Sequence, residues 1–241
     1  MQVESPFDKF MECKMNKLQR GSRVDGEATR MRILEAAGEL FGASGFAETT
    51  SKSIAARAGA DVASINYHFG SRNGLYQAVL IEAHRRFVDI ADLRPLVDSS
   101  LPAVDKLKRL IDRLVSSTTD QSGGWHLTVL AAEILAPTSN LQVLLQSQVP
   151  VKATLVMRIL SEITGIPPAE PALMRCMLNV MAPALVMLIS RPGLASPIQS
   201  IWRMPPEDIR DHLYRFALAG LKAIGDDYAS HAVKQEAGGQ D

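Results

Sequence analysis

One stretch constrains the fold more than any other: Thr49-Thr50-Ser51-Lys52-Ser53-Ile54-Ala55-Ala56-Arg57-Ala58-Gly59-Ala60-Asp61-Val62-Ala63-Ser64-Ile65-Asn66-Tyr67-His68-Phe69. Its spacing predicts two short helices with a tight break between them. A hydroxyl at Thr49 or Thr50 can accept from the free backbone N–H groups that open the first helix. Ile54 and Ala58 lie four apart and share a face. Gly59 stands where helices commonly end in a left-handed residue, and Asp61 can cap the second helix. There Ile65 and Phe69 face inward, Ala63, Ser64 and Tyr67 point the opposite way, and Val62 and Asn66 flank them. Two short helices joined by a Gly-containing turn make a helix-turn-helix, whose second helix can enter a DNA major groove. An ordinary helical hairpin inside a larger bundle carries the same pattern.

The rest of the chain reads as helices throughout. A first helix is predicted over 27–44, with Ile33, Leu34, Ala37, Leu40 and Phe41 as its buried stripe and Gly45 as its stop. Gly70-Ser71-Arg72-Asn73-Gly74 is a turn and cap, and a fourth helix follows over 73–92. Pro95 and Pro102 bracket a predicted loop. Further helices are expected over 103–117, which Ser122-Gly123-Gly124 breaks from the next, over 125–136. The remaining ones cover 141–165, with Pro150 marking a kink or new start, then 169–190 and 207–228. Arg191-Pro192-Gly193 opens a loop that reaches Pro206. No strand pattern competes, so the fold class is all-α. Residues 1–25 show no sustained period and are expected to be a flexible extension, with a short helix over 10–18 at most. The tail, 229–241, is polar and expected to fray.

With its flanks in place, the run over 28–79 closely resembles the DNA-binding domain of the TetR family of bacterial transcription regulators. The helix Thr29-Arg30-Met31-Arg32-Ile33-Leu34-Glu35-Ala36-Ala37-Gly38-Glu39-Leu40-Phe41, the link Gly45-Phe46-Ala47-Glu48 and the segment Tyr67-His68-Phe69-Gly70-Ser71-Arg72-Asn73-Gly74-Leu75-Tyr76 stand in order and at the right spacing. Ile65-Asn66-Tyr67-His68-Phe69-Gly70-Ser71-Arg72 looks more like the CecR branch than like the tetracycline repressor. The resemblance implies a helix-turn-helix DNA-binding domain over 26–74 and a larger helical effector-binding and dimerisation domain over 75–228. It implies a homodimeric repressor on a palindromic double-stranded operator, released by a small amphipathic effector, with the fourth helix as the lever between the two parts.

It also implies DNA contacts at Thr50, Lys52, Val62, Ala63, Ser64, Asn66, Tyr67, His68 and Arg72, and the chemistry of these side chains agrees. Asn66 can bond adenine bidentately, Val62 and Ala63 can touch a thymine methyl, and Ser64, Tyr67 and His68 can bond phosphates. Tyr67 and His68 can equally serve helix packing. Arg72 stands where the family commonly has a phosphate-binding Lys. Asn66 replaces the Tyr of the tetracycline-repressor pattern, so a different base sequence is expected.

Net charge is zero over 241 residues, so a purely electrostatic nucleic-acid binder is disfavoured and local charge decides. Lys14, Lys17, Arg20, Arg23, Arg30 and Arg32 form a basic run, a phosphate-binding arm or a solvated tail. Cys13 and Cys176 are the only cysteines. Neither has metal-ligand spacing, so no metal, no cofactor and no disulfide is expected, in keeping with a reducing compartment. The most hydrophobic run, 180–189, contains Pro183 and is too short to cross a bilayer, and no signal-peptide pattern opens the chain, so no membrane partner and a cytoplasmic location are expected.

The second half suggests a ligand pocket. Trp125, His126, Glu133 and Arg175 are polar or aromatic residues in apolar helices, and His126 and Glu133 lie seven apart on one face. Met157 and Met181 belong to a Met-rich set suited to an adaptable lining. Satisfied core residues are the plainer reading. The helix over 172–189 is apolar almost all round and needs cover on several sides. An enzyme is the first alternative, although no P-loop, Gly-x-Ser-x-Gly or His-Glu-x-x-His motif occurs. A DNA-binding adaptor without an effector is the second.

Overall fold

The computed structural model describes the backbone of residues 6–119, 124–190 and 197–238, and the side chains of 25–119, 124–190 and 199–231. Every regular element among them is helical, and the chain divides into two compact units, Met1–Val79 and Leu80–Asp241. Ser122 and Gly123 of the predicted break, and Arg191-Pro192-Gly193, lie outside the described residues.

Unit 1 contains α1 (Pro6–Glu48), α2 (Ser51–Ala58), α3 (Val62–Phe69) and the first half of α4 (Arg72–Phe87). Ile33, Leu34, Ala37 and Phe41 of α1 are buried with Ile54 and Ala58 of α2, Ile65 of α3 and Leu75 and Val79 of α4. Leu40 is half-buried at the edge of this stripe. Phe41, Phe46 and Tyr76 form an aromatic cluster, with Tyr76 meeting Phe41 edge-on at 4.8 Å and Phe46 at 4.6 Å. One expectation changes here. The first helix begins at Pro6 rather than near Glu27, since residues 6–20 hold good helix formers and no proline after the first position. Gly45 ends the long helical run as expected: φ 77 and ψ 170 lie outside the helical region, in a conformation that glycine takes without steric cost, and only a short further stretch of helix follows to Glu48.

Unit 2 holds the rest of α4, then α5 (Ile90–Asp98), α6 (Ala103–Thr119), α7 (Trp125–Leu135), α8 (Leu141–Ser147), α9 (Val149–Thr164), α10 (Pro171–Ile189) and α11 (Pro206–Gly238). Leu107, Leu110 and Leu114 of α6 share the core with Ile159 and Leu160 of α9, Leu173 and Val180 of α10 and Leu221 of α11. The break expected at Pro150 occurs as a 45° bend between α8 and α9.

Four boundaries are corrected. The fourth helix ends at Phe87 instead of continuing to 92, because Asp89 caps a new helix by accepting from the Ala91 N–H at 2.9 Å. The loop expected from Pro95 is partly that helix, α5. Pro95 sits on its exposed side, where the amide bond it cannot make faces water, and Leu93, Leu96 and Val97 hold the opposite side in the core. The loop before Pro206 contains a 3-10 turn, Pro197–Arg203, tied back by the Trp202 indole N–H, which donates to the Ser190 carbonyl at 2.9 Å. The tail expected to fray from 229 continues α11 to Gly238 through Ala, Gln, Lys and Glu, all favourable to helix.

The apolar run at 180–189 also belongs to something longer. Helix α10 has 19 residues and is long and apolar enough to cross a membrane by length and composition. One face packs in the unit 2 core. Met174, Leu178, Leu185 and Val186 are exposed, as are Phe216 and Ile224 of α11.

Candidate nucleic-acid interface

The geometry of α2 and α3 is set by their caps. Thr50, not Thr49, caps α2: its hydroxyl accepts from the Ser53 N–H, and its own N–H donates to the Ser53 hydroxyl, both at 3.1 Å. This reciprocal pair satisfies two donors that a helix start leaves free. The buried Thr49 hydroxyl instead lies 2.8 Å from the Gly45 carbonyl and 3.2 Å from that of Leu40, fastening the link to the end of α1. Gly59 ends α2 at φ 59, as the sequence predicts. Asp61 caps α3, accepting from the Ser64 N–H at 2.6 Å. The Ser64 side chain, and then its backbone N–H, hold the Asp61 carboxyl below its usual range.

Capped in this way, α3 is anchored by one fully buried side chain, Ile65. Phe69, expected inside, is half-buried, and the Arg30 guanidinium lies over its ring at 5.3 Å. Val62, Ala63, Asn66 and Tyr67 are exposed, at spacings that place them along one side of the helix. Tyr67 is 85% exposed, which rules out a packing role within unit 1. Ser64 and His68 are half-buried, and the His68 ring meets Tyr67 edge-on at 4.9 Å. At the start of α2, Thr50 and Lys52 are exposed.

Arg72 has partners within unit 1. Its guanidinium donates to the Phe46 carbonyl and lies 4.2 Å from the centre of the Phe46 ring. That stacking and hydrogen bond fasten the start of α4 to the link after α1. Sequence reasoning missed this clamp, although Phe46 and Arg72 were both in the quoted motif. It also missed the tightness of the turn. A Cβ on Gly74 would lie 2.2 Å from the Phe69 carbonyl oxygen, so no larger residue fits there. The exposed Arg57–Glu39 ion pair, at 2.7 Å, joins α2 to α1.

The expected ligand constellation is not assembled. Glu133 is 1% exposed, but it accepts from the Thr138 N–H at 2.9 Å and the Thr138 hydroxyl at 2.7 Å, holding the loop after α7. It thus has a structural partner other than His126. Trp125 is buried beneath the Arg86 guanidinium at 4.8 Å. His126, Met157 and Met181 are half-buried, and Arg175 is exposed. A narrow groove does run between α6, α10 and α11, lined by Ile111, Leu114, Val180, Pro183 and Phe216 among others, and none of the six expected residues lines it. Spacing on one helix put His126 and Glu133 on a common side, but partner helices decide what each side meets.

Residues 33–79 match the family described as bacterial regulatory proteins of the tetR family. Residues 103–223 match the C-terminal domain of the HTH-type transcriptional dual regulator CecR. No curated protein sequence matches the chain. Among solved structures, the chain is similar to the fatty acid degradation regulator FadR from Bacillus halodurans, at 16% identity over 80% of this chain and 96% of that one, with a TM-score of 0.61. FadR from Bacillus subtilis in complex with stearoyl-CoA is similar at 15% identity, over 79% and 98%, with a TM-score of 0.56. A TetR-like transcriptional regulator from Rhodococcus sp. RHA1 follows at 20% identity, over 80% and 95%, also at 0.56. At these identities the likeness concerns the fold alone.

Proposed function

The chain belongs to the tetR family of bacterial regulatory proteins, in the branch that carries the CecR C-terminal domain, and from that premise we propose that it is a ligand-responsive homodimeric repressor. It is a transcriptional regulator with a helix-turn-helix DNA-binding fold. The finer reading rests on one observation above the others: α3 leaves Val62, Ala63, Asn66 and Tyr67 uncovered, on a short helix that Ile65, Asp61 and the tight turn at Gly74 hold in place. In a major groove Asn66 would read an adenine edge, Val62 and Ala63 would meet thymine methyls, and Tyr67, Ser64 and His68 would reach phosphates, with Lys52 and Thr50 at the rim. Arg72 acts from behind, by fixing the turn, rather than on the DNA.

The dimer is supported by the exposed aliphatic faces of α10 and α11, which a second copy would cover. A two-fold pair would present its α3 helices to half-sites about 34–36 Å apart. That cover also accounts for the composition of α10 without a membrane, and the regulator would work in the cytoplasm, beside the DNA. For an effector, the Bacillus subtilis FadR structure holds stearoyl-CoA, an amphipathic acyl thioester. The many methionines of unit 2, Met157, Met177 and Met181 among them, suit an adaptable apolar lining that such a molecule would open. An effector acts only through its differential affinity for the two states, and α4, which crosses from one unit to the other at Val79 and Leu80, would carry the change. Binding and release of DNA, without catalysis, is the whole proposed activity.

A second reading, a DNA-binding regulator with no effector, is favoured by the way Glu133 is spent on Thr138 and Arg175 is left exposed. Footprinting on the DNA upstream of the coding region, with and without long-chain acyl-CoA, separates the two. A protected palindrome that acyl-CoA uncovers supports the first reading. Protection that no amphipathic acyl compound alters supports the second, and no protection by the wild-type chain overturns both.

A further inference from the structure

Unit 2 buries two lysines, and they are held differently. Lys106 of α6 places its ammonium 2.9 Å from Glu162 Oε2 and 2.9 Å from the Val97 carbonyl, near the end of α5. Lys152 of α9, 6% exposed, places its ammonium 2.9 Å from the His84 carbonyl, in the last turn of α4, and 2.8 Å from His84 Nδ1. Lys106 satisfies a carbonyl that a helix C-terminus leaves free, Lys152 adds a second donor to a carbonyl that already accepts from the Val88 N–H at 3.1 Å, and each charge suits the negative end of the helix dipole. Lys106 has a carboxylate to neutralise it. The direct side-chain partner of Lys152 is a neutral ring, which accepts only while Nδ1 carries no proton and the proton sits on Nε2.

The surroundings keep it so. Burial, and then the charge of Lys152, push His84 down to about 4, so the ring is neutral near pH 7. Burial pulls Lys152 down to about 8, with Asp89 opposing and Arg85 adding to the shift. Arg85 is itself paired to Glu82 at 2.8 Å and to Asp89 at 2.7 Å, and Glu82 also accepts from Arg86 at 2.9 Å. These pairs stiffen the end of α4 and its junction with α5, while Lys152 reaches it from α9.

We propose that the Lys152–His84 contact is a latch that fastens the last turn of α4 to α9, and that opening it frees α4 and lowers DNA affinity. The first half stands on geometry alone; the second rests on the regulatory reading above. A carbonyl and a neutral imidazole hold a buried ammonium less firmly than a carboxylate does, so this pin opens at a lower cost than the Lys106–Glu162 one. Helix α4 continues past Val79 into unit 1, so freedom at its far end bears on the segment that Arg72 clamps.

The test is hydrogen exchange on the full-length chain at pH 7, comparing wild type with Lys152→Met, His84→Leu and the double variant. Amides over 80–88 are expected to exchange about tenfold faster in Lys152→Met, which removes both bonds, and less so in His84→Leu, which keeps the bond to the residue-84 carbonyl; the double variant should exchange no faster than Lys152→Met alone. Amides of α6 should be unchanged. His84→Asn, whose side-chain oxygen can stand in for Nδ1, should exchange like wild type, and it decides the matter if the leucine variant folds poorly. Unchanged exchange over 80–88, additive effects, or acceleration spread evenly through α6 would overturn the latch. In parallel, Lys152→Met is titrated against the footprinted upstream fragment. A fall of about tenfold supports the coupling to DNA, and an unchanged affinity beside faster exchange overturns that coupling. A wild-type chain that binds no DNA defeats the functional reading and the coupling with it, while the exchange result still decides the latch.

Discussion

The two units treat polar groups in opposite ways. Among the described residues of unit 1 no charged side chain is fully buried, the Arg72 guanidinium being half-buried against Phe46, and apart from Thr49 and the Tyr76 phenol its polar chemistry is spent on caps and the surface. Unit 2 buries Lys106, Lys152, Glu133, Asn140, Thr118 and Thr164, and leaves aliphatic side chains of α10 and α11 facing outward. A buried charge is costly unless paired, so unit 2 holds arrangements that can be upset from within. Unit 1 is a small, locally determined scaffold for one exposed helix. On the function proposed above, the first would be the rigid reading head and the second the adjustable part.

The uncovered faces give the sharpest way to break this contrast. If the α10–α11 surface is covered by a second copy, Leu178→Glu with Phe216→Glu should bury two charges in the dimer. Leu178 is 61% exposed and Phe216 74%, so the isolated chain has little reason to unfold. The expected result is half the molar mass by light scattering and a loss of operator affinity of about 100-fold or more, since two linked half-sites no longer bind together. A dimer that survives both charges would sink the assignment of this face.

The α3 face should respond differently, through specificity rather than assembly. Asn66→Ala is expected to cost about 1–3 kcal/mol of discrimination at one base pair while leaving the dependence on salt unchanged. Lys52→Ala should weaken all sequences alike and reduce the salt slope by about one. Competitive titrations with single-base operator variants at several salt concentrations check both. If Asn66→Ala lowered the slope and left sequence preference intact, it would be an anchor and not a reader.

How far this was legible in the sequence follows the same division. In unit 1, caps, turns and the buried stripe are local, and Thr50, Gly59, Asp61 and Ile65 stand where their types require them. What escaped was Arg72, because the Phe46 ring that claims its guanidinium lies 26 residues away. In unit 2 the helices were readable but their partners were not. His126 and Glu133 share a side by spacing, yet Glu133 turns to Thr138, and the two buried lysines gave no signal, because a lysine in an amphipathic helix reads as exposed until the facing helix is known. Pro95 misled for a related reason: a proline on the wet side of a short helix breaks little.

A smaller effect tests whether unit 1 is as locally determined as it looks. Thr50→Ala removes one half of the reciprocal cap and should cost about 1 kcal/mol, against a few tenths for Thr50→Gly, by analogy with other helix caps. The loss should appear as faster amide exchange over 51–58 and leave unit 2 as it was. Equal loosening of α9 or α10 would show that the units unfold together and weaken the contrast.

The last expected effect is a pH dependence confined to one unit. The His84 ring is lowered from 6.5 to about 4 by burial and by Lys152. Between those values the unfolded chain takes up a proton that the folded chain refuses, so stability is complete above about pH 6.5 and falls as pH drops toward 4. Glu82, held down to about 2 mainly by Arg85, acts in the same direction but later, between 4.5 and 2. Lys152, lowered from 10.5 to about 8, gives a gain of stability as pH rises through that range, again because the unfolded chain holds the extra proton. Among the described residues unit 1 buries no comparable group, and the lowered carboxyl of Asp61 is fully exposed and titrates below its ordinary value of 3.8. Both tryptophans, Trp125 and Trp202, belong to unit 2, and Trp125 lies under Arg86 of α4. Their emission should therefore change between pH 6.5 and 4 while amide exchange over 51–69, corrected for its intrinsic pH dependence, stays level, and His84→Leu should remove most of the change. A transition of the same size in that variant, or one that begins in unit 1, would place the acid-sensitive group elsewhere and end the claim that only the second unit is tuned from within.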